Sequence, residues 1–226
     1  MPDYVGGNRL RLLRNGEQYF PSLVAAIDAA TAEVFLETYI VADDRTGLLV
    51  SEALARAAAR GISTHLLIDG FGARDFAPRF RDMLSAAGAE VLVFRPQVSP
   101  WPLWKQRGRL RRMHRKIASI DGLVAFVGGI NVIDDHDTPN QTPPRYDYAV
   151  RIEGPLAARV RAAAVRLWWR VAWATFGRRW PGFATLTGRA ARRPLPARGP
   201  DPGGQRAALV VRDNLRHRSD IEEAYL

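Results

Sequence analysis

Residues 114–131, HRKIASIDGLVAFVGGIN, decide the fold that we predict for this chain. The Asp121-Gly122 pair is a strong signal for a two-residue β-hairpin turn, and the apolar residues on both sides of it favour strands. Side chains alternate between the two faces of a strand, so His114 and Lys116 should lie side by side on one face. The Gly128-Gly129 pair lets a substrate or another backbone approach the returning strand closely. The stretch is therefore either an ordinary buried hairpin or a hairpin that carries a phosphate site.

These residue types supply the parts of a site that cleaves phosphodiesters. A histidine such as His114 can form a covalent phosphoryl intermediate. Lys116 and Asn131 can neutralise charge on the equatorial phosphate oxygens. Each part alone is commonplace in structural positions. The joint spacing favours the phosphate site, because a chance match in a chain of this size is on the order of one in a hundred thousand.

The chain around the hairpin alternates between strand-like and helix-like segments. Residues with β-forming composition occupy 33–43, 63–70 and 89–94, with helical patterns between them. Residues 21–32 also read as a helix, with Pro21 in its first turn. A strand at 146–154 and a helix from about residue 155 to residue 176 follow the hairpin. This alternation predicts an α/β fold with a central sheet and helices on both faces.

Composition changes after residue 176, and this predicts the domain organisation. We predict one domain over residues 1–176. Residues 177–206 are rich in Arg, Pro and Gly with weak periodicity, which is typical of a linker. Residues 207–226 are strand-like and then begin a helix, so we predict the start of a second, truncated half. Residues 95–113 carry two tryptophans and a dense basic cluster, which is consistent with a membrane-contacting loop or with a solvated one.

Composition also limits the chemistry. The 226 residues include no cysteine, which excludes a thiol nucleophile, disulfides and thiolate zinc sites. The net charge of +10 favours anionic partners, namely nucleic acid, anionic lipid or phosphorylated substrates, without choosing among them. No run of about 18 apolar residues occurs, so any contact with a membrane should be peripheral.

The pattern His114-x-Lys116-x4-Asp121-x6-Gly128-Gly129-x-Asn131 resembles the HKD signature of the phospholipase D superfamily. The flanking stretches VFLETYIVADDRTG, ARGISTHLLIDGFGA and DYAVRIEGPLA resemble bacterial cardiolipin synthases in the same order. The resemblance covers nearly the whole chain apart from the predicted linker. It implies a phospholipase D-like mixed β-sheet flanked by helices on both faces, with one HKD half-domain.

The resemblance implies a role for each motif residue. His114 would be the covalent nucleophile or its general-acid partner. Lys116 would bind phosphate oxygens, with Asn131 and Gly129 at the same phosphate. Asp121 belongs to the catalytic motif, but as a turn residue it should hold the hairpin together more than it touches the substrate.

A nucleophilic imidazole needs an acceptor that orients its other nitrogen. Asp147 is our candidate for this acceptor, since the superfamily often places a carboxylate on the strand after the motif. Glu37 and Asp69 are weaker candidates, equally plausible as structural acids at strand ends. The acids of residues 133–140 make a metal site conceivable, but the family chemistry implies no metal and no cofactor.

Superfamily enzymes of the cardiolipin synthase type carry two HKD motifs, and this chain has one. We expect either a truncated chain that lacks its second half or a homodimer that completes the site. The function implied is phosphatidyl transfer between anionic glycerophospholipids through a phospho-histidine, by a peripheral protein on the cytoplasmic side of a bacterial cell membrane. The alternatives are a homodimeric phosphodiesterase or nuclease that uses water, and an inactive half-enzyme. Nucleic acid is possible as a partner, but no binding motif favours it.

Overall fold

The computed structural model describes residues 3–74, 76–96, 112–137, 142–176 and 199–211. The described chain forms an eight-stranded mixed sheet with four α-helices, and this confirms the predicted α/β fold. The strands are β1 (Val5–Arg14), β2 (Glu33–Thr38), β3 (Ser63–Asp69), β4 (Glu90–Phe94), β5 (Lys116–Ile120), β6 (Val124–Gly128), β7 (Tyr148–Glu153) and β8 (Gln205–Ala207). The helices are α1 (Asn15–Asp28), α2 (Arg45–Ala59), α3 (Pro78–Ala86) and α4 (Pro155–Phe176).

The strand order is β4-β3-β2-β5-β6-β7-β1-β8. Strands β2, β3 and β4 are parallel, because α2 and α3 cross between them. Strand β5 runs antiparallel to β2, and β6, β7, β1 and β8 continue the antiparallel half. The hairpin thus lies at the junction of the two halves, with neighbours on both sides.

The turn of the hairpin contains one residue more than we predicted. Ile120 pairs with Val124, so three residues rather than two separate β5 from β6. Asp121 and Gly122 both have positive φ, 54° and 65°, and the N–H of Leu123 donates to the carbonyl of Ile120 at 3.0 Å. The Asp-Gly pair therefore makes the expected primed turn, while Leu123 remains outside the strand ladder.

Helix α1 begins at Asn15, six residues before the predicted first turn, so Pro21 lies inside the helix. The N–H of Gly16 donates to Oδ2 of Asp135 at 2.6 Å. This contact caps the helix from a distant part of the chain, and a local pattern cannot reveal it.

Helices cover both faces of the sheet. Helices α1, α2 and α3 pack on the face that carries Leu36, Ile68 and Ala118. Helix α4 packs on the opposite face, where its buried Val160 and Trp168 meet Ile117, Phe35 and their neighbours. Within the described ranges, no helix combines the length and the apolarity needed to cross a membrane.

Residues 199–207 lie against β1. The N–H of Leu10 donates to the side chain of Gln205 at 2.8 Å, and the N–H of Asp201 donates to the carbonyl of Gly7 at 3.1 Å. The last residues of the predicted linker, Gln205 and Arg206, thus belong to the edge strand β8. Residues 97–111, 177–198 and 212–226 lie outside the described residues, so the loop, linker and second-half assignments stay predictions.

Candidate functional site

The site lies at the edge of the sheet where β5 begins and β6 ends. Lys116 is the first residue of β5, and Gly128 faces it as the last residue of β6. His114 precedes β5 by two residues, and Gly129 follows β6 directly. The antiparallel register therefore brings the polar start of the hairpin and its glycine end together.

Lys116 is a buried cation whose charge no carboxylate neutralises directly. Its side chain is 5% exposed, and Nζ donates to the carbonyl of His114 at 3.2 Å. Among the described residues, no acid lies within ion-pair distance of this ammonium. Burial lowers the pKa of Lys116 to about 8, although the charges of Asp147 and Asp69 act in the opposite direction. At neutral pH most molecules still carry the ammonium charge, which can meet an incoming phosphate.

His114 is exposed at the same edge, so a ligand can reach its ring. The pKa of His114 lies below its ordinary value because of partial desolvation and the charge of Lys116, and the charges of Asp69 and Asp147 oppose this shift. The imidazole is therefore mostly neutral at neutral pH. A neutral imidazole keeps the lone pair that nucleophilic attack requires.

Asp147 lies directly before β7, beside the glycine end of β6. Its backbone is held by Asn15, whose N–H donates to the Asp147 carbonyl at 2.9 Å and whose Oδ1 accepts the Asp147 N–H at 3.1 Å. Oδ1 of Asp147 accepts the N–H of Tyr148 at 2.7 Å. A Cβ at Gly129 would lie 2.5 Å from Oδ2 of Asp147, so the absence of a side chain there leaves room for the carboxylate.

The predicted contact between Asp147 and the His114 imidazole is electrostatic in this structure. Within the described residues, the Asp147 carboxylate makes no hydrogen bond to the ring, but its charge raises the pKa values of both His114 and Lys116. Its role in orienting the histidine stays a prediction.

Asn131 is half-buried on the chain that leaves the glycine pair. Its Oδ1 atom is buried and accepts no hydrogen bond from the described residues. The next N–H, of Val132, donates to the carbonyl of Ile40 at 3.2 Å, which ties this segment to the chain after β2. Oδ1 of Asn131 can thus accept a hydrogen bond from a ligand, whereas a phosphate oxygen would need the NH2 group of the same amide as donor.

Asp121 lies at the other end of β5, away from His114 and Lys116. Its carboxylate accepts the N–H groups of Thr31, Ala32 and Glu33 and the Thr31 hydroxyl, at 2.8–2.9 Å. Burial alone would raise the pKa of Asp121, but these hydrogen bonds together lower it. The structure thus places Asp121 away from His114 and Lys116, and its hydrogen bonds tie the hairpin turn to residues 31–33. Its structural rather than catalytic role stays a prediction.

Neither weaker candidate contacts the His114 side chain. Glu37 pairs with Arg115 on the face covered by α4, away from Lys116. Burial raises the pKa of Glu37 to about 7 against the effect of Arg115. Asp69 is fully buried and accepts the N–H of Met113 at 2.7 Å, so it anchors the residue before His114.

Two residues that matter at this site were not predicted. Asn15 holds Asp147 through the paired hydrogen bonds above, and its positive φ of 53° is the one local sign of its special position. The Tyr39 ring contacts both His114 and Lys116. Tyr39 lies in a stretch that reads as an ordinary strand, so its sequence context carries no signal for this contact.

The acids after Asn131 support helix ends. The N–H of Asp134 donates to Oδ2 of Asp44, the N-cap residue of α2, at 2.8 Å. Asp135 caps α1, as described above. In the part of the chain that the structure describes, no three His, Asp or Glu side chains are grouped to hold a metal ion. Residues 138–140 of the acidic stretch lie outside it.

Comparisons with known proteins agree with the motif. A family model described as the PLD-like domain of cardiolipin synthase matches residues 23–168. Cardiolipin synthase B of Shigella flexneri and that of Escherichia coli K12 are each 35% identical over 229 residues, covering 97% of this chain and 50% of the relative. Cardiolipin synthase A of Pseudomonas putida is 32% identical over 76% of this chain and 35% of the relative. The chain spans about half the length of the cardiolipin synthase B relatives, and less of the A form.

Solved structures share the fold. Nuc of Salmonella typhimurium, a phospholipase D family member, superposes with a TM-score of 0.50 at 18% identity, covering 73% of this chain and 93% of Nuc. NucT of Helicobacter pylori gives 0.51 at 15% identity, covering 73% of this chain and 96% of NucT. At these identities the likeness concerns the fold, and it confirms the predicted phospholipase D-like mixed sheet.

Proposed function

The chain belongs to the phospholipase D superfamily, in the family of cardiolipin synthase PLD-like domains, and from this premise we propose that it is a phosphatidyl transferase acting on anionic glycerophospholipids. One observation carries the proposal. A mostly neutral, accessible imidazole and a buried ammonium without an ion-pair partner among the described residues occur together, and both contact the same aromatic ring. That combination suits attack on a phosphodiester whose negative charge the lysine balances.

In the first step, a ring nitrogen of His114 attacks the phosphorus of phosphatidylglycerol. The P–N bond forms while the P–O bond to the glycerol headgroup breaks, and glycerol leaves with a proton from a general acid. Lys116 and the Asn131 amide bind the non-bridging oxygens, and the bare backbone at Gly129 leaves room for them. The product of this step is a phosphatidyl-histidine.

In the second step, a glycerol hydroxyl of another phosphatidylglycerol attacks the phosphorus and gives up its proton to the same acid–base group. The P–N bond breaks, cardiolipin leaves, and His114 is restored. Among the described residues, no second histidine faces His114. We therefore propose that a second HKD half supplies the acid–base histidine, either from another copy of this chain or from further chain of the same protein.

The substrate class follows from charge as well as from the family. The net charge of +10 favours binding to an anionic bilayer, where about 1 kcal/mol per basic residue near the surface is typical. We propose a peripheral position on the cytoplasmic side of a bacterial membrane. The predicted loop at residues 95–113 is one candidate for this contact, with a solvated loop as the alternative.

The test is a transfer assay with the purified protein and vesicles of phosphatidylglycerol. We expect cardiolipin and free glycerol in equal amounts, and His114→Ala should lower the rate by at least about 10³-fold. His136→Ala is the matched control, because His136 is an exposed histidine whose hydrogen bond and ion pair, among the described residues, are both with Asp134. A chelator should leave the rate unchanged, since the proposed steps use only an imidazole, an ammonium and an amide.

Other products would identify the alternatives. Phosphatidic acid without cardiolipin would show that water is the acceptor. Nicking of plasmid DNA without lipid turnover would favour a nuclease. A monomer by light scattering that turns over neither substrate would contradict activity in this polypeptide and favour an inactive half.

A further inference from the structure

We propose that Tyr39 is the positioning residue of this site, and that the face of its ring, rather than its hydroxyl, holds the ammonium of Lys116 beside the imidazole of His114. This inference rests on the proposed function for its catalytic meaning. The contacts of Tyr39 on which it is based can be tested whether or not the protein turns over a substrate.

Tyr39 follows the last residue of β2, the strand next to β5. Its ring centroid lies 5.3 Å from Nζ of Lys116 and 5.1 Å from the ring centroid of His114, with 57° between the two ring planes. Both distances fall within the range of favourable cation–π and aromatic contacts. Among the described aromatic side chains, Tyr39 is the one that contacts both motif residues.

Phe71 backs the same ring. The Tyr39 and Phe71 rings are stacked at 6.0 Å with 7° between their planes, and Phe71 is 45% exposed. Guanidinium groups of Arg74 and Arg112 lie 5.2 and 6.0 Å from the Phe71 ring. The Tyr39 ring thus lies between the His114 and Lys116 side chains on one side and the Phe71 ring on the other, with two guanidinium groups near Phe71.

A ring partner for Lys116 has a consequence that a carboxylate would not have. A carboxylate in direct contact would neutralise the ammonium and compete with the substrate phosphate. The quadrupole of an aromatic ring stabilises the cation and leaves its full charge available. Because the Lys116 side chain is buried and no acid of the described residues pairs with it, the ring supplies stabilisation that direct pairing does not.

We assign the positioning role to the ring and not to the hydroxyl, because the described contacts include no hydrogen bond from the Tyr39 hydroxyl. Phenylalanine should therefore replace tyrosine here. Leucine should not, since it fills space without a π system.

The chain makes this inference unusually accessible to measurement. Of its 33 Lys and Arg residues, only Lys105 and Lys116 are lysines. Uniform ¹³C labelling of lysine therefore gives two sets of side-chain signals in an NMR spectrum, and the Lys105→Arg variant assigns them. The Cε shift of Lys116 follows its protonation directly, without any need for turnover.

The experiment titrates Lys116 in the wild type, Tyr39→Phe and Tyr39→Leu. We expect the first two to agree within about 0.2 pH unit. The Leu variant should lose the ammonium proton about half a unit to one unit lower, as expected for removal of one partly desolvated cation–π contact. The groups that also act on Lys116, namely His114, Asp69 and Asp147, are retained in all three proteins.

Transfer activity provides the second measurement. Tyr39→Leu should be about tenfold slower at pH 7, and its rate should begin to fall at a lower pH on the alkaline side. Tyr4→Leu is the matched control, because Tyr4 is an exposed tyrosine at the start of the chain. A folded Tyr39→Leu protein whose Lys116 titrates like the wild type would overturn the proposal. Equal shifts in the Phe and Leu variants would assign the effect to the hydroxyl and overturn it too.

The two proposals fail in different ways. If the wild type transfers no phosphatidyl group but the Lys116 titration shifts as stated, the positioning role stands and the proposed function falls. If transfer occurs and the titration does not shift, the function stands and the role of Tyr39 falls.

Discussion

Replacing Asp121 by alanine tests whether the acid of the HKD motif is structural. The carboxylate accepts four hydrogen bonds from the segment between α1 and β2, at 2.8 Å from the N–H of Thr31, 2.9 Å from its hydroxyl, 2.9 Å from Ala32 and 2.8 Å from Glu33. Asp121→Ala leaves all four donors without this acceptor. The bond to Glu33 is buried, and the other three are partly exposed, so water can replace the acceptor in part.

The expected loss follows from this count. A hydrogen bond to a charged group contributes about 1.5–3 kcal/mol when buried and less where water can substitute. We expect the free energy of unfolding to fall by about 3–5 kcal/mol in Asp121→Ala. Asp121→Asn keeps one acceptor oxygen and places an amide donor against N–H groups, so its loss should be intermediate. These are large fractions of the about 5–15 kcal/mol that is typical of a domain.

The assay is urea unfolding followed by circular dichroism at pH 7. Asp28→Ala is the control, because Asp28 is an α1 acid whose 2.9 Å pair with Arg56 is surface-exposed. Its loss should stay below about 1 kcal/mol. Since hydrogen bonding lowers the pKa of Asp121 in the folded state, its stabilisation is present above the ordinary carboxyl pKa and declines as the pH falls below it. The difference between wild type and Asp121→Ala should therefore shrink in acid.

Activity separates the structural role from a catalytic one. Strand β5 places Asp121 about 16 Å from Lys116, at roughly 3.3 Å per residue. Folded Asp121→Asn should therefore retain transfer activity within about threefold of the wild type, corrected for the folded fraction. A stability loss below about 1 kcal/mol in Asp121→Ala would refute the structural reasoning. A fully folded Asp121→Asn as inactive as His114→Ala would refute it as well.

Gly129→Ala should lower the transfer rate about 10–100-fold, because the new Cβ would lie 2.5 Å from Oδ2 of Asp147 and displace that carboxylate. Gly199→Ala is the control, because a Cβ at Gly199 would meet no atom within 4 Å. A Gly129→Ala rate equal to that of the control would contradict the close packing. The transfer rate should fall above about pH 8 as Lys116 loses its proton, and a rate still constant at pH 9.5 would exclude a need for the ammonium. Burial lowers the pKa of His65 to about 4 in the folded protein. Below pH 6.5 the His65 side chain is therefore protonated in the unfolded chain but still neutral in the folded one, and this favours unfolding. By pH 4.5 this should remove about 2–3 kcal/mol of stability relative to pH 7 in urea unfolding, and His65→Phe should lose most of that dependence.

Much of the fold could be predicted because its signals are local. The pattern predicted α4 at the bounds found, and the alternation of strands and helices predicted a central sheet flanked by helices. Helix α1 was predicted to begin at Pro21 but begins at Asn15, because its first turn is capped by Asp135 from a distant loop. The strand β8 lay partly inside a predicted linker, since its pairing with β1 depends on residues far away in the sequence.

The candidate site could be predicted only in part for the same reason. His114 and Lys116 lie two residues apart in the sequence, which keeps them close, although His114 precedes β5 instead of belonging to it. Asp147 was placed near the site by family resemblance, and the structure adds that Asn15 holds its backbone. Tyr39 could not be predicted, since its contact with both motif residues depends on β2 being the neighbour of β5.

The sequence by itself determined the hairpin and the close spacing of His114 and Lys116, which we predict to be the reactive pair. These follow from the conformations of a few consecutive residues, which the Asp-Gly turn and the strand period restrict. The tertiary structure alone decided what surrounds them: the aromatic ring against Lys116, the buried acid that anchors the chain before His114, and the separation of Asp121 from both. Those relations depend on strand order and register, which are set by burial of apolar surface across the whole sheet rather than by any local stretch.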